Sequence, residues 1–180
     1  MTIITALSDD KSTWLGHNSA STIGDTPLEG LDPWVKFGDW ALGITGTSYH
    51  QDFLELRVKQ LEENSETPMQ LCEFIRKIFL EHQISIDGGD YGTPKFGIWC
   101  ILVNKSGGIW DIGNRMSCSK IKKNKLWATG SGVDYALGAD YATLQVAPKT
   151  SIKNRVRIAT EAAILHETTC PGEVVLTKFN

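Results

Sequence analysis

A short, largely apolar stretch opens the chain. Thr2-Ile3-Ile4-Thr5-Ala6-Leu7 reads as a strand, and a second follows over Thr13–Asn18. Turn-forming residues across Thr22-Ile23-Gly24-Asp25-Thr26-Pro27 predict a loop that ends near Asp32-Pro33. Trp34–Phe37 and Asp39–Thr45 then predict a hairpin around Gly38. The period next changes from two to helical. Phe53, Leu54, Leu56, Val58 and Leu61 recur at helical spacing, as do Met69, Leu71, Phe74, Ile75, Ile78 and Phe79. Glu66-Thr67-Pro68 separates the two stretches, with Thr67 as N-cap and Pro68 at the first helical position.

A glycine-rich loop, Asp87–Gly92, leads back to strands. Phe96–Val103 and Gly108–Ile112 predict a hairpin around Asn104-Lys105-Ser106-Gly107. The basic run Lys120 to Lys125 reads as a solvated hairpin tip, and Trp127–Thr129 as a strand ending at Gly130-Ser131-Gly132. Two further helices, Val133–Leu144 and Ser151–Leu165, precede a last strand near Glu173–Thr177. Strand and helix blocks are segregated, which argues against a doubly wound parallel sheet. The expected class is α+β: a four-layer αββα sandwich, two antiparallel sheets face to face with a helix pair on each outer side. Trp34, Trp40, Trp99, Trp110 and Trp127 all fall on predicted strands, where they are expected to fill the space between sheet and helices.

Composition narrows function by exclusion. The 180 residues suit a single domain, 1–180, with enough apolar content for a core. The net charge of −3 gives no reason to expect nucleic acid or an anionic membrane as partner, and the basic run lacks the aromatic interleaving of a nucleic-acid patch. No apolar run has transmembrane length, and Asp9, Asp10 and Lys11 interrupt any signal peptide. Cys72, Cys100, Cys118 and Cys170 show no regular spacing, so reduced thiols in a cytoplasmic protein are expected. His17, His50, His82 and His166 have no metal-site spacing, and no cofactor is expected.

Four segments in order, Gly16–Thr22, Phe37–Thr47, Ala128–Ala139 and Arg155–Ala163, together resemble, across nearly the whole chain, the proteasome β-subunit family of N-terminal nucleophile hydrolases. Gly16-His17-Asn18-Ser19-Ala20-Ser21-Thr22 resembles the family's strand-to-loop segment. Phe37–Thr47 is similar to its next hairpin and helix start. Ala128-Thr129-Gly130-Ser131-Gly132-Val133-Asp134-Tyr135-Ala136-Leu137-Gly138-Ala139 carries the most specific likeness, to the turn before the third helix. Arg155–Ala163 resembles the fourth helix of small bacterial and phage members. Such enzymes expose a threonine whose hydroxyl attacks an amide while its own α-amine, with an ordinary pKa of about 7.7–8.0, takes the proton. Thr2 is the residue the resemblance puts there, once Met1 is removed. With Met1 retained, Thr2 has no free amine.

The resemblance also implies which partners the nucleophile needs. The family places a carboxylate about sixteen residues after the threonine and a lysine in the following hairpin, where they tune the amine. Asn18 occupies the carboxylate position and carries no charge. The lysine position falls near Pro33 or Trp34, and Lys36 lies two residues beyond. Other parts are kept: Ser131 matches the serine beside the amine, and Gly46 the glycine whose N–H forms the oxyanion hole. The acidic residue after the fourth helix falls at His166 or Glu167, with Thr169 and Cys170 at a small-hydroxyl position. Two functions follow. The first is a catalytically impaired or silent structural or binding subunit of a homo-oligomer, a ring or stacked rings, with a possible peptide or protein substrate. The alternative is an active threonine peptidase or amidase using Thr2. A rearranged amidase drawing on His17 or Lys36 is a weaker third.

Overall fold

The computed structural model describes residues 2–23, 26–30, 32–84, 87–88 and 94–179. The chain opens with strands β1 (Ile3–Ser8), β2 (Thr13–Asn18), β3 (Ala20–Ile23), β4 (Thr26–Glu29), β5 (Trp34–Phe37) and β6 (Trp40–Thr45). Helices α1 (Ser48–Glu55), α2 (Val58–Glu63) and α3 (Pro68–Glu81) follow. A second strand block comprises β7 (Asp87–Gly88), β8 (Pro94–Lys95), β9 (Trp99–Asn104), β10 (Ile109–Ile112), β11 (Cys118–Ile121) and β12 (Trp127–Gly130). Helices α4 (Val133–Val146) and α5 (Ile152–His166) and strand β13 (Val174–Phe179) complete the order.

Two antiparallel sheets result, a four-stranded one in the order β12-β1-β2-β13 and a five-stranded one in the order β11-β10-β9-β6-β5. The period-two alternation of β1 explains the layering, because successive side chains point to opposite faces. Ile3 and Leu7 pack on one side with Ala136 of α4 and Val156, Ala159 and Ala163 of α5. Ile4 and Ala6 point the other way, against Ala41, Ile101 and Val103 of the five-stranded sheet. Leu42, Ile44, Cys100 and Leu102 on the outer face of that sheet meet Leu54, Leu61, Ile75 and Phe79 of α1, α2 and α3. The architecture is therefore α+β with four αββα layers and three apolar interfaces.

Several local expectations are corrected. The segment read as a loop after Asn18 contains a hairpin, β3 against β4, with Ser21 opposite Leu28. The helical stretch through Phe53 and Leu61 is two helices, broken at Leu56-Arg57, where the Leu56 and Arg57 amides cap α1 through Asp52 and Leu54 carbonyls. The basic run is partly strand, since Lys120 pairs with Trp110 in β10–β11. The glycine-rich loop falls partly outside the described residues, and its Asp87–Gly88 end pairs with β8.

The tryptophans divide between layers. Trp40 and Trp110 do pack under the helices, ring centroids 5.5 Å apart. Trp34 and Trp127 instead lie between the sheets, and Trp99 is 47% exposed. Trp34 fits there because it stands opposite Gly43, where a Cβ would come within 2.8 Å of the indole. Among the described residues no helix is long and apolar enough to cross a membrane.

Candidate functional site

Thr2 lies at the mouth of β1, where the gap between the two sheets opens. Backbone shape brings its neighbours close. Ile3 pairs with Gly130 of β12, and a Cβ at Gly130 would fall 1.9 Å from the Thr2 carbonyl oxygen. Gly130 also has φ +110°, so both crowding and conformation require glycine. Gly46, after β6, has φ +135° and a Cβ there would fall 2.6 Å from the Gly97 carbonyl. Thr2 and Gly46 line two cavities together. One, of about 300 Å³, includes Asn18, Asp32, Pro33, Asp52 and Glu55; the other, of about 550 Å³, includes Ser131.

Asn18 is 2% exposed and its amide is fully engaged. Its Oδ1 accepts from the Ile3 N–H at 3.0 Å. Its Nδ2 donates to the Ala20 carbonyl and, at 2.9 Å, to the Pro171 carbonyl. The side chain thus ties β1, the β3 entry and the segment before β13 together as a neutral bridge. No cationic side chain lines either cavity among the described residues. Pro33 lines the smaller cavity, Trp34 is buried between the sheets, and Lys36 is 52% exposed with its ammonium 3.2 Å from Asp32.

A second polar group runs from Ser131 to the end of α5. Ser131 Oγ is 3.0 Å from Thr169 Oγ1 and 3.1 Å from Cys170 Sγ, and Thr169 Oγ1 is 2.7 Å from Glu167 Oε1. The carboxylate only accepts, so the Thr169 O–H donates to it. Thr169 Oγ1 also lies within hydrogen-bond distance of Ser131 Oγ, and either Ser131 or Cys170 can be the donor between those two. The Thr169 hydroxyl and amide hold the Glu167 carboxyl below its ordinary pKa. Burial pushes the Cys170 thiol up, so it stays protonated at neutral pH. Of the two residues read for the acidic position, Glu167 joins this chain; His166 is exposed and lies against the Tyr135 ring at 5.6 Å. The arrangement can hold and pass a proton beside Ser131.

His17 is 4% exposed on β2, with Nδ1 3.0 Å from the Asn18 carbonyl, and burial lowers its pKa. It lines neither cavity beside Thr2. His50 is buried against Phe79 in the helix layer, its Nδ1 bonded to Thr47 Oγ1. Among the described residues no group of three or more His, Cys, Asp or Glu could hold a metal ion. Sequence reasoning missed Trp99, Asp111 and Trp127 as lining of the larger cavity. Their signal was weak but present: each stands on the inward row of its strand.

The fold has known counterparts. BPH of Thiobacillus denitrificans in complex with epoxomicin superposes with a TM-score of 0.78, at 18% identity, covering 100% of both chains. A second structure of Thiobacillus denitrificans BPH gives 0.75 at 17% identity, over 100% of this chain and 99% of that one. Eukaryotic HslV from Trypanosoma brucei gives 0.74 at 13% identity over 98% of each. No protein-family model matches the chain, and no curated protein matches it. At these identities the likeness is one of fold: this is the proteasome-like N-terminal nucleophile hydrolase sandwich.

Proposed function

We propose that this chain is a catalytically silent, proteasome-like binding and structural subunit that assembles with copies of itself. The observation that carries the reading is Asn18. Its amide spans three backbone groups and supplies no charge where an amine and hydroxyl at Thr2 would need tuning. Losing the charges that activate a nucleophile costs several powers of ten in rate, each about 1.36 kcal/mol of barrier. Assembly draws support from the outer helices. α4 buries only Ala136 and Asp140 and presents Tyr141 and Val146 to solvent at 67% and 84% exposure, and α5, in the same outer layer, presents Leu165 at 75%. Apolar residues grouped on one outer layer favour burial against another subunit. Four free cysteines, one domain over 1–180 and a cytoplasmic setting complete the proposal.

The test has two arms. Protein with a clean Thr2 terminus is incubated with fluorogenic peptides beside Thr2→Ala, and native mass is read at micromolar concentration. The reading expects no turnover that depends on Thr2, and a mass above that of the 19.9 kDa monomer. Turnover lost in Thr2→Ala would replace it with the second reading, an active threonine peptidase. That reading draws on one observation, the Glu167–Thr169–Ser131 hydrogen-bond chain, which remains intact beside Thr2. A monomer alone would remove the assembly part.

A further inference from the structure

The larger cavity beside Thr2 is built from both inner sheet faces. On β10, Asp111 stands opposite Ile101 on the row that faces the other sheet, together with the core residue Ile109. From that other sheet, Trp127 donates its indole N–H to Asp111 Oδ1 at 3.0 Å. This is the only polar partner of the Asp111 carboxylate among the described residues, so Oδ2 is left to the cavity. Around it the lining is mostly apolar: Trp99, Trp127, Ala128 and Val133. Trp99 has no ring or cation partner among the described residues, whereas the Trp127 ring already holds the Lys125 ammonium at 5.5 Å. A lone carboxylate beside indole faces suits one kind of group, a planar or compact cation on an apolar stem. The carboxylate offers charge-assisted hydrogen bonds, and the indole faces attract both stem and cation. Thr2, Gly46 and Ser131 border the same space, so a peptide lying across Thr2 places a side chain in it.

We propose that this cavity is a subsite for a basic side chain, arginine or lysine, of a bound peptide, with Asp111 taking the charge and Trp99 and Trp127 the stem. The proposal deepens the binding reading by naming the ligand's chemistry, and it requires no hydrolysis. The measurement is quenching of tryptophan fluorescence in the full chain. Its probes are three peptides, acetyl-Gly-Arg-Gly-amide and the same peptide with citrulline or norleucine at the centre. The arginine peptide is expected to bind at least about tenfold more tightly than its neutral citrulline isostere. In Asp111→Asn, which keeps an acceptor for the Trp127 indole, that preference should vanish while norleucine binding stays unchanged. Trp99→Ala, at a half-exposed position where folding is not at stake, should weaken all three. Equal binding of arginine and citrulline peptides, no saturation up to millimolar concentration, or an unchanged preference in Asp111→Asn would each overturn the proposal. Covalent activity at Thr2 would end the silent-subunit reading and leave this one standing, because binding is read without turnover.

Discussion

Asn18→Asp would return a carboxylate to the position where the fold's resemblance expects one, and the structure predicts that it harms the protein without restoring activity. The Asn18 side chain accepts from Ile3 N–H and donates to the Ala20 and Pro171 carbonyls. Aspartate keeps the acceptance and loses both donations. Two carbonyl oxygens then face an anion in a site that is 2% exposed. Each buried group left without its partner costs about 1–3 kcal/mol, so the two together cost about 2–6 kcal/mol at neutral pH. At about 2–4 °C per kcal/mol for a chain of this size, the melting temperature should fall by roughly 4–24 °C.

The pH dependence has a definite sign. A protonated aspartate regains one donor, so the folded state binds the proton more tightly than the unfolded chain, and the folded pKa rises above about 3.9. The penalty is therefore small near pH 4 and grows as pH rises through the raised pKa. Urea and thermal unfolding of both proteins at pH 4.5 and 7.5 measures it, with peptide hydrolysis followed in parallel. An Asn18→Asp protein within about 0.5 kcal/mol of the parent at pH 7.5, a typical additivity error, would refute the reasoning. Gain of Thr2-dependent turnover would refute it more directly.

Other consequences are independent of Thr2. Arg155 holds Asp140 through two bonds, 2.7 and 2.8 Å, with side chains 5% and 10% exposed. Arg155→Met should destabilise the fold by about 3–5 kcal/mol in urea unfolding, because Asp140 is left buried and unpaired; Asp140→Leu added to it should recover most of the loss. Burial holds both His17 and His50 below the ordinary imidazole pKa of 6.5. The unfolded chain therefore binds the proton more readily. Their contribution is complete above about pH 6.5 and declines as pH falls below it, by up to about 1.36 kcal/mol per pH unit for each group. His50→Leu should flatten part of that slope in unfolding curves between pH 7 and 5, all the more because His50 Nε2 has no hydrogen-bond partner among the described residues.

Much of the layering was legible because β1 and β6 are short, almost wholly apolar runs, as strands buried on both faces are, and α3 carries a regular apolar stripe that starts at its own cap. Thr67 accepts from the Gln70 N–H, and Pro68 stands at the first helical position. Asn18 was legible as a neutral side chain at the end of β2, but its three-way backbone bridge was not. That bridge joins residues 15 and 153 positions apart, which no local pattern records. The β3–β4 hairpin was hidden by turn formers on both sides of a short pairing, and β11 by Lys120, which reads as part of a charged tip yet pairs with Trp110 and lays its ammonium over that ring. Trp34, Trp40, Trp99, Trp110 and Trp127 looked equivalent because periodicity gives a strand's two faces without saying which meets helices. Trp34 and Trp127 went inward since Gly43 makes room for one and Asp111 bonds the other. How His166 and Glu167 differ needed the end of α5, where only Glu167 meets the Thr169 hydroxyl and His166 lies against Tyr135.

The central claim, that Thr2 is not a working nucleophile, meets its most direct test in one intact-mass measurement. Protein is prepared with a free Thr2 terminus, for instance by cleaving a precursor, and incubated with excess epoxomicin, the compound bound in the Thiobacillus denitrificans BPH structure. An epoxyketone needs both a threonine hydroxyl and its free amine to form a stable adduct. With Asn18 neutral and no cation lining the Thr2 cavities among the described residues, the protein mass should remain unchanged after prolonged incubation. A stoichiometric mass increase of one inhibitor molecule, located on Thr2 and lost in Thr2→Ala, would contradict the account.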